Sequence, residues 1–527
     1  MSAIRRNLSW LLITQLATWL ISAVAVILVP RYLNDEELGV FAFAVAVVGF
    51  LTLIASLGTS TLLAREIARD HALLGPYVYN AVPLKILLST VLSALALATA
   101  AAFGSDRETF VLIALGCAGM IVVSVGEIFY GALAGLERMA KPAIWATVQV
   151  YVANAVGLAV LALGGGVVLL ATVLALSQLI PAVATAIIIR PMVRDRGHLD
   201  PAIWRWLVRA GLPLTALTFS NLVYGTVDIP ILKFIASTED VGWYTLALRW
   251  IGIPAFISTA VAAAFYPSFS SLAKTSSSQF AAQVNKAVLL VLLAAVPSAI
   301  GLGVVAEDLI RYLYRPEWES SIVLMQILAV GIPLTAVDTI LASALIAADR
   351  PNRYILVAAS AALLNPVACL FAISITDDRY GNGAIGAAIV TVGTEMFIMV
   401  AAFALRSPGV LDRATVLKGL RITAAGLVMG AVVFLVGDLP LGVQVAIGII
   451  VYAAMSVVLR TFAVGDLRAF LPRGLASAGA GGAASAEDGG ATGQVDAPGG
   501  DDSHVGGEPY APSGRQDSDR GHHLGGE

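Results

Sequence analysis

The chain alternates long apolar stretches with short polar ones, and the apolar stretches are too long for strands or for one face of a water-exposed helix. Runs able to cross about 30 Å of hydrocarbon as helices of about 20 residues fall near 8–30, 38–62, 77–102, 108–133, 142–163 and 166–189. A second six follow near 207–232, 241–267, 284–305, 320–346, 353–375 and 384–405. Two more, near 415–437 and 441–462, bring the expected total to about 14. The pattern predicts an all-α polytopic membrane protein.

The two sixes repeat one another. Leu133-Ala134-Gly135-Leu136-Glu137-Arg138, ahead of an apolar run to Leu163, is echoed by Leu345-Ile346-Ala347-Ala348-Asp349-Arg350 ahead of one to Ile375. Asn154 falls on Asn365, and Glu127 falls within a residue or so of the register of Asp338. Earlier, Glu36-Glu37-Leu38-Gly39-Val40-Phe41 matches Glu239-Asp240-Val241-Gly242-Trp243-Tyr244. A period of roughly 200 residues is too long for a solenoid and predicts a duplicated bundle. Because six is even, the second bundle enters the membrane with the orientation of the first, so the duplication is parallel. The expected organisation is a six-helix lobe over 1–200, a second over 201–408, two additional helices over 409–465, and a Gly/Ala/Asp-rich tail over 466–527. That tail lacks the aliphatic bulk to bury a core and reads as disordered. The added helices offer either a lipid-entry groove or a packing surface.

Composition agrees with this reading. The chain is 58% hydrophobic and 13% charged, against about 25% charged in a soluble domain, and its mean hydropathy is +0.86. Cation placement carries more information than the net charge of −3. Arg5, Arg6, Arg65, Arg69, Arg138, Lys141, Arg190, Arg194, Arg196, Arg205, Lys274, Arg350, Arg353, Arg406, Arg413, Lys418, Arg421 and Arg460 fall on the side of the N-terminus, while the other side holds Arg31, Arg107, Lys233, Arg311, Arg315 and Arg379. The asymmetry predicts both termini in the cytoplasm of a multi-pass cell-membrane protein. Arg5 and Arg6 before Leu8–Val29 imitate a signal peptide, but that stretch spans a whole bilayer and reads as a retained first helix. Cys117 and Cys369 sit in apolar runs as small buried hydrophobes.

No catalytic constellation, phosphate-binding Gly loop or nucleic-acid patch is present, and no cofactor or metal is expected; the His522-His523 pair has no further ligand beside it. The informative groups are ionisable residues inside the spans, each costing about 2.5–3.5 kcal/mol at the bilayer centre unless paired or wetted. Arg249 lies about nine residues into its predicted helix, roughly 14 Å from the outer end, and with Lys85 is a candidate for a substrate cavity. Glu127, Asp338, Glu395 and Asp228 are candidates for a coupling ion. The repeat register predicts Glu127 and Asp338 facing one another across a central seam, and Asp228 pairing locally with Lys233.

Several segments resemble a known family. Asn7-Leu8-Ser9-Trp10, Pro30-Arg31-Tyr32-Leu33-Asn34, Glu37-Leu38-Gly39, Gly58, Arg65-Glu66-Ile67-Ala68 and Gly135-Leu136-Glu137-Arg138 look like the Wzx-type oligosaccharide and polysaccharide flippases of the multidrug/oligosaccharidyl-lipid/polysaccharide exporter superfamily. The resemblance covers about residues 5–460. It implies two six-helix lobes in a V around a cavity of alternating access, and a polyprenyl-(pyro)phosphate-linked oligosaccharide moved from the cytoplasmic to the outer leaflet. Arg249 and Lys85 would then face the (pyro)phosphate. Implied partners are the lipid-linked oligosaccharide, membrane lipids and polysaccharide assembly proteins, with the chain itself a monomer. The first two helices carry no intramembrane arginine of the sort related lipid II flippases place in their cavity, which argues against a peptidoglycan-precursor role. A second reading is a multidrug or toxic-compound antiporter, for which an acidic cavity would be the signature. A third, a membrane-embedded glycan polymerase or acyltransferase, lacks the large outer loop it would need.

Overall fold

The computed structural model describes residues 18, 21, 22, 24–193, 198–349 and 351–461, with only the backbone at 216, 217, 220, 221 and 351–353. Arg5, Arg6 and Asn7 to Trp10, the loop residues Arg194 and Arg196, Arg350, and the tail from 462 with His522 and His523 lie outside the described residues. Helix α1 is described over 24–32. There follow α2 (Asp35–Ser56), α3 (Thr59–Arg69), α4 (Leu74–Ala102), α5 (Arg107–Gly135), α6 (Ala140–Ala162), α7 (Val167–Ser177) and α8 (Leu179–Ile189). After a linker come α9 (Pro201–Thr226), α10 (Asp228–Ile235), α11 (Thr238–Thr275), α12 (Ser277–Leu313), α13 (Ser320–Ala329), α14 (Gly331–Ala347), α15 (Pro351–Tyr380) and α16 (Ala384–Leu405). Helices α17 (Arg413–Leu435) and α18 (Leu441–Val458) close the described chain.

Among the described residues there is no strand, and 12 spans are long and apolar enough to cross a membrane. They match every predicted span except those near 8–30 and 207–232; the first is described only in part, and α9 and α10 lie over the second. Hydrophobicity understated two helices. Helices α11 and α12 run 38 and 37 residues, about 57 Å at 1.5 Å per residue. The apolar run marks only the part in hydrocarbon, and polar residues continue the helix on either side. Ser276 both ends α11 and caps α12, its side chain accepting from Gln279 N.

Helix α2 packs on α5 and α11, α11 on α12 and α14, and α17 lies between α12 and α18. The largest buried cluster joins Leu38 and Phe43 of α2 to Tyr244 and Leu246 of α11 and to Trp318 and Cys369. Cys117 and Cys369 are buried free thiols.

The duplication is written into the backbone. Asn34 and Ser237, 203 residues apart (237 − 34), each cap a helix and close a capping box with the acid three residues on, Glu37 and Asp240. Gly39 and Gly242, again 203 apart (242 − 39), lie where α2 and α11 cross: a Cβ on Gly39 would run into the Thr238 carbonyl oxygen, and one on Gly242 into that of Asp35. Since Asp35 and Thr238 are themselves 203 apart, the contact is reciprocal, as a pseudo-twofold between the two helices requires. Trp243 Nε1 donates across the same seam to Asp35 Oδ2 at 2.9 Å. Further on, α5 and α14 end alike, with Glu137 and Asp349 left-handed at φ 56° and 55°.

A second repeated device pins linkers. Asn80 of α4 donates from Nδ2 to His198 O at 3.0 Å and accepts at Oδ1 from Asp200 N at 2.7 Å. Asn285 of α12 donates to Gly409 O at 3.0 Å and accepts from Leu411 N at 2.7 Å. In each half, one amide side chain grips the segment leaving that half's last helix.

Candidate functional site

The first cluster lies where α2 breaks. Leu57 and Gly58 are both left-handed, at φ 47° and 57°, so α2 ends at Ser56 and α3 restarts at Thr59. The last carbonyls of α2 consequently lack intrahelical partners. Lys85, 0% exposed, supplies them from α4: its ammonium donates to Ala55 O at 2.6 Å and to Ser56 O. Glu127 of α5 completes the set, with Oε2 3.6 Å from Lys85 Nζ. Glu127 also lines a cavity of about 500 Å³ walled by α2, α5, α7 and α9, whose other polar groups include Thr52, Ser56 and Gln178. Lys85 itself does not line that cavity; its ammonium donates two hydrogen bonds to the carbonyls and faces Glu127 Oε2 as an ion pair.

The second cluster is acidic. Asp338 on α14 is 4% exposed, and the charge of Glu395 on α16 bears on it directly. Tyr224 of α9 and Tyr354 of α15 feel both carboxylates, and Thr335 lies against Glu395. Asp338 Oδ1 and Glu395 Oε2 are buried without a hydrogen-bond partner. Two buried carboxylates in one another's field, with no cation acting on either among the described residues, need a proton or a bound cation to be accommodated.

Glu127 and Asp338 therefore do not face one another, and the seam pairing expected from the repeat is corrected. Glu137 and Asp349 set the offset in this region at 212 (349 − 137), which matches Glu127 to Thr339 and leaves Asp338 one residue out of register. One residue is about 100° around a helix, enough to turn the two acids to different neighbours.

Asp228 heads α10, 3% exposed, and its Oδ2 accepts from the Tyr244 hydroxyl and, at 3.4 Å, from Thr391 Oγ1. Its Oδ1 accepts from Ile229 N at 3.0 Å. The expected Asp228–Lys233 pair is absent: five residues put the two about 140° apart on a helix, off the i, i+4 face. Lys233 donates to Thr238 Oγ1 instead. Nearby, Asn365 Nδ2 donates to Thr394 Oγ1 at 3.1 Å.

Arg249 lies 11 residues past Thr238 at the start of α11, about 16 Å along the axis, slightly deeper than the apolar run implied. It is brought neither to Lys85 nor to the acid pair. Its charge, with that of Arg31, bears on the Tyr314 hydroxyl at the end of α12. That hydroxyl accepts from Trp250 Nε1 at 3.1 Å and donates to Ile27 O of α1 at 3.2 Å. The Tyr314 hydroxyl thus lies in the field of both arginines, neither of which makes an ion pair among the described residues.

Two further cavities flank these groups. One of about 820 Å³ is walled by Phe43, Phe50, Phe103, Phe219 and Phe234 and has Asp106 and Lys233 at one end. Burial pushes the Asp106 carboxyl up, but hydrogen bonds from Thr109 Oγ1 and N, aided by Lys233, outweigh it and hold the group below the usual carboxylate range. The other, about 570 Å³, lies between α11, α12, α17 and α18. Tyr224, Tyr354, Tyr244 and Thr391 were missed from sequence because only ionisable groups stand out in an apolar run; a tyrosine within such a run is the signal that was there to use.

Comparisons with known proteins fit this architecture. A family described as "Polysaccharide biosynthesis protein" matches residues 4–273. The succinoglycan biosynthesis transport protein ExoT of Rhizobium meliloti (strain 1021) is 23% identical over 318 residues, 60% of this chain and 63% of that protein. The chain thus spans under two thirds of the length of that relative. A structure of the lipid II flippase MurJ in an inward closed conformation aligns with a TM-score of 0.70 at 15% identity, covering 85% of this chain and 98% of the other. An inward-facing multidrug resistance transporter of the MATE family and MOP superfamily aligns with a TM-score of 0.54 at 18% identity, covering 74% and 93%. At these identities the two structures establish a shared fold. The family match extends over 270 of 527 residues (273 − 4 + 1), and the chain, a multi-span all-α membrane protein, belongs to the polysaccharide biosynthesis protein family.

Proposed function

We propose that the chain is a flippase, not an enzyme, and that it carries a polyprenyl-(pyro)phosphate-linked oligosaccharide from the cytoplasmic to the outer leaflet by alternating access. The observation that carries this reading is membership of the polysaccharide biosynthesis family on a fold shared with the lipid II flippase MurJ. The name of ExoT, a transport protein of succinoglycan biosynthesis, supports a glycan cargo over a drug. In this reading lobes 1–200 and 201–408 rock against each other, 409–465 adds two helices, and both termini lie in the cytoplasm, as the cation asymmetry favours. The working unit is a monomer, since one chain already holds both lobes, and it hands its cargo to polysaccharide assembly proteins.

Arg249 is the substrate cation: an intramembrane guanidinium without an ion pair suits a phosphate that arrives and leaves. Asp338 and Glu395 are the coupling-ion pair, taking up a proton or monovalent cation in one state and releasing it in the other; Asp228 is a second candidate. Deleting the gene tests the reading: lipid-linked repeat units accumulate in the inner leaflet and surface polymer falls. A second reading, extrusion of cationic compounds, is favoured by Glu127 in the 500 Å³ cavity. Unchanged surface glycan with new sensitivity to cationic drugs would select it instead.

A further inference from the structure

The two halves differ in their second helix, and the difference tracks a single residue. In the first half the second helix breaks at Leu57 and Gly58; at the matching positions of the second half, 203 residues on, Ala260 and Val261 lie within the unbroken α11. The pinning asparagines set the offset of the third helix at 205 (285 − 80), so Lys85 corresponds to Leu290. The half with the lysine has the broken helix, and the half with a leucine has a continuous one.

The surroundings of Lys85 form a cation site. Its ligands are two carbonyl oxygens at the C-terminal end of α2 and the Glu127 carboxylate, all oxygen donors, which select a hard cation or an ammonium. The helix end contributes partial negative charge of its own. Glu127 Oε2 has no hydrogen-bond partner, so the lysine charge is what the described surroundings offer it. Glu127 also faces the 500 Å³ cavity, giving small solutes a route to the site.

We propose that Lys85 is a tethered cation: its ammonium fills an oxygen-lined monovalent-cation site made by the Ala55 and Ser56 carbonyls and the Glu127 carboxylate, and thereby holds the α2–α3 break. Removing the side chain converts the position into a site for free sodium or a small alkylammonium. In the wild-type protein the site is filled from within, so Glu127 is a fixed counter-charge and the coupling ion binds elsewhere. The proposal does not rest on the flippase reading, and its test uses stability rather than transport, so either can fail alone.

The experiment is thermal unfolding of the purified full-length chain in detergent, comparing wild type with Lys85→Ala in sodium, n-propylammonium and choline chlorides at equal ionic strength. Lys85→Ala is expected to lower the apparent Tm by about 4 °C or more. Sodium or n-propylammonium should recover most of that loss and choline none, while wild type responds alike to all three. The added substitution Glu127→Ala abolishes the recovery. A Lys85→Ala protein that answers sodium and n-propylammonium no better than choline overturns the proposal. If Lys85→Ala yields no folded protein, purification with n-propylammonium or with n-propanol throughout decides: folded yield with the amine alone supports the tethered cation, and yield with both or neither refutes it.

Discussion

Alanine at Gly39 or Gly242 tests the crossing of α2 and α11 more sharply than any charge change. A Cβ at either position falls deep inside contact with a backbone carbonyl oxygen of the other helix, Thr238 or Asp35. Backbone cannot rotate away as a side chain can, so the helices must part by about 1 Å, which forfeits a quarter to a half of the dispersion well along the seam. That seam buries Leu38, Val241, Tyr244, Leu246 and Ala247 at 0% exposure. Overpacking of this kind costs about 1–3 kcal/mol, against about 0.5–1 kcal/mol that alanine returns in a helix, leaving each variant about 1–2 kcal/mol less stable. Because one alanine opens the seam that the other needs opened, the double variant should cost less than the sum of the two.

The molecule supplies its own controls and its own probe. Gly49 and Gly252, also 203 apart (252 − 49) and on the same two helices, have nothing within 4 Å of a built Cβ. Gly49→Ala and Gly252→Ala should therefore be neutral or stabilising by up to about 1 kcal/mol. The chain has 2 cysteines, Cys117 and Cys369, both buried, so a thiol-reactive fluorophore reports unfolding of a detergent-purified sample without added labels. Should Gly39→Ala and Gly242→Ala melt together with the Gly49 and Gly252 variants, the reciprocal contact is not what brings α2 and α11 together, and the argument falls.

Arg249→Ala should abolish most flipping of a phosphate-linked glycan in proteoliposomes while leaving melting unchanged; Arg249→Lys should keep part, since a point charge replaces the bidentate fork, and full activity in Arg249→Ala would remove this residue from the site. Asp338→Asn and Glu395→Gln should each flatten the response of transport to imposed pH or sodium gradients, and unaltered gradient dependence in both would leave the acids as packing. Asp106→Ala should cost about 1 kcal/mol as the lost N-cap of α5. Its folded carboxyl is held low, so its contribution is present above the unfolded value near 4 and is lost as pH falls through the folded value. Melting of wild type and Asp106→Ala should accordingly converge on acidification, and a gap that widens below pH 4 would contradict the sign. The Asp412 carboxyl, lowered by its hydrogen bonds from Thr415, should act in the same direction at α17.

Sequence carried the fold further than the site because of what each depends on. Spans follow from apolar length alone, and the duplication was visible in Glu37, Gly39, Asp240 and Gly242, each of which has a backbone job: capping or close approach. Partners of charged groups depend on azimuth, which changes by about 100° per residue. A repeat register loose by one residue was enough to aim Asp338 at Glu127 when its neighbour is Glu395. Asp228 and Lys233 failed the same way, matched by proximity along the chain while facing different sides.

Lys85 shows the remaining gap between sequence and structure. Read along the chain, it is a cation in an apolar helix and invites a ligand from outside. The structure instead gives it internal ligands, created because Leu57 and Gly58 break α2 and release carbonyls from the helix ladder, of which Ser56 O also accepts from Thr59 Oγ1 at 2.8 Å. The reason lies about 30 residues away in a backbone conformation (85 − 55). Gly58 is the local hint, and a Cβ added there would strike Leu214 of α9, so both the left-handed backbone and the space favour glycine. A helix that must bend between α4 and α9 needs both a residue free to turn and a charge to hold the cut end. The first half of this chain has the pair, and the second, with Val261 and Leu290 in their places, has neither and runs straight through.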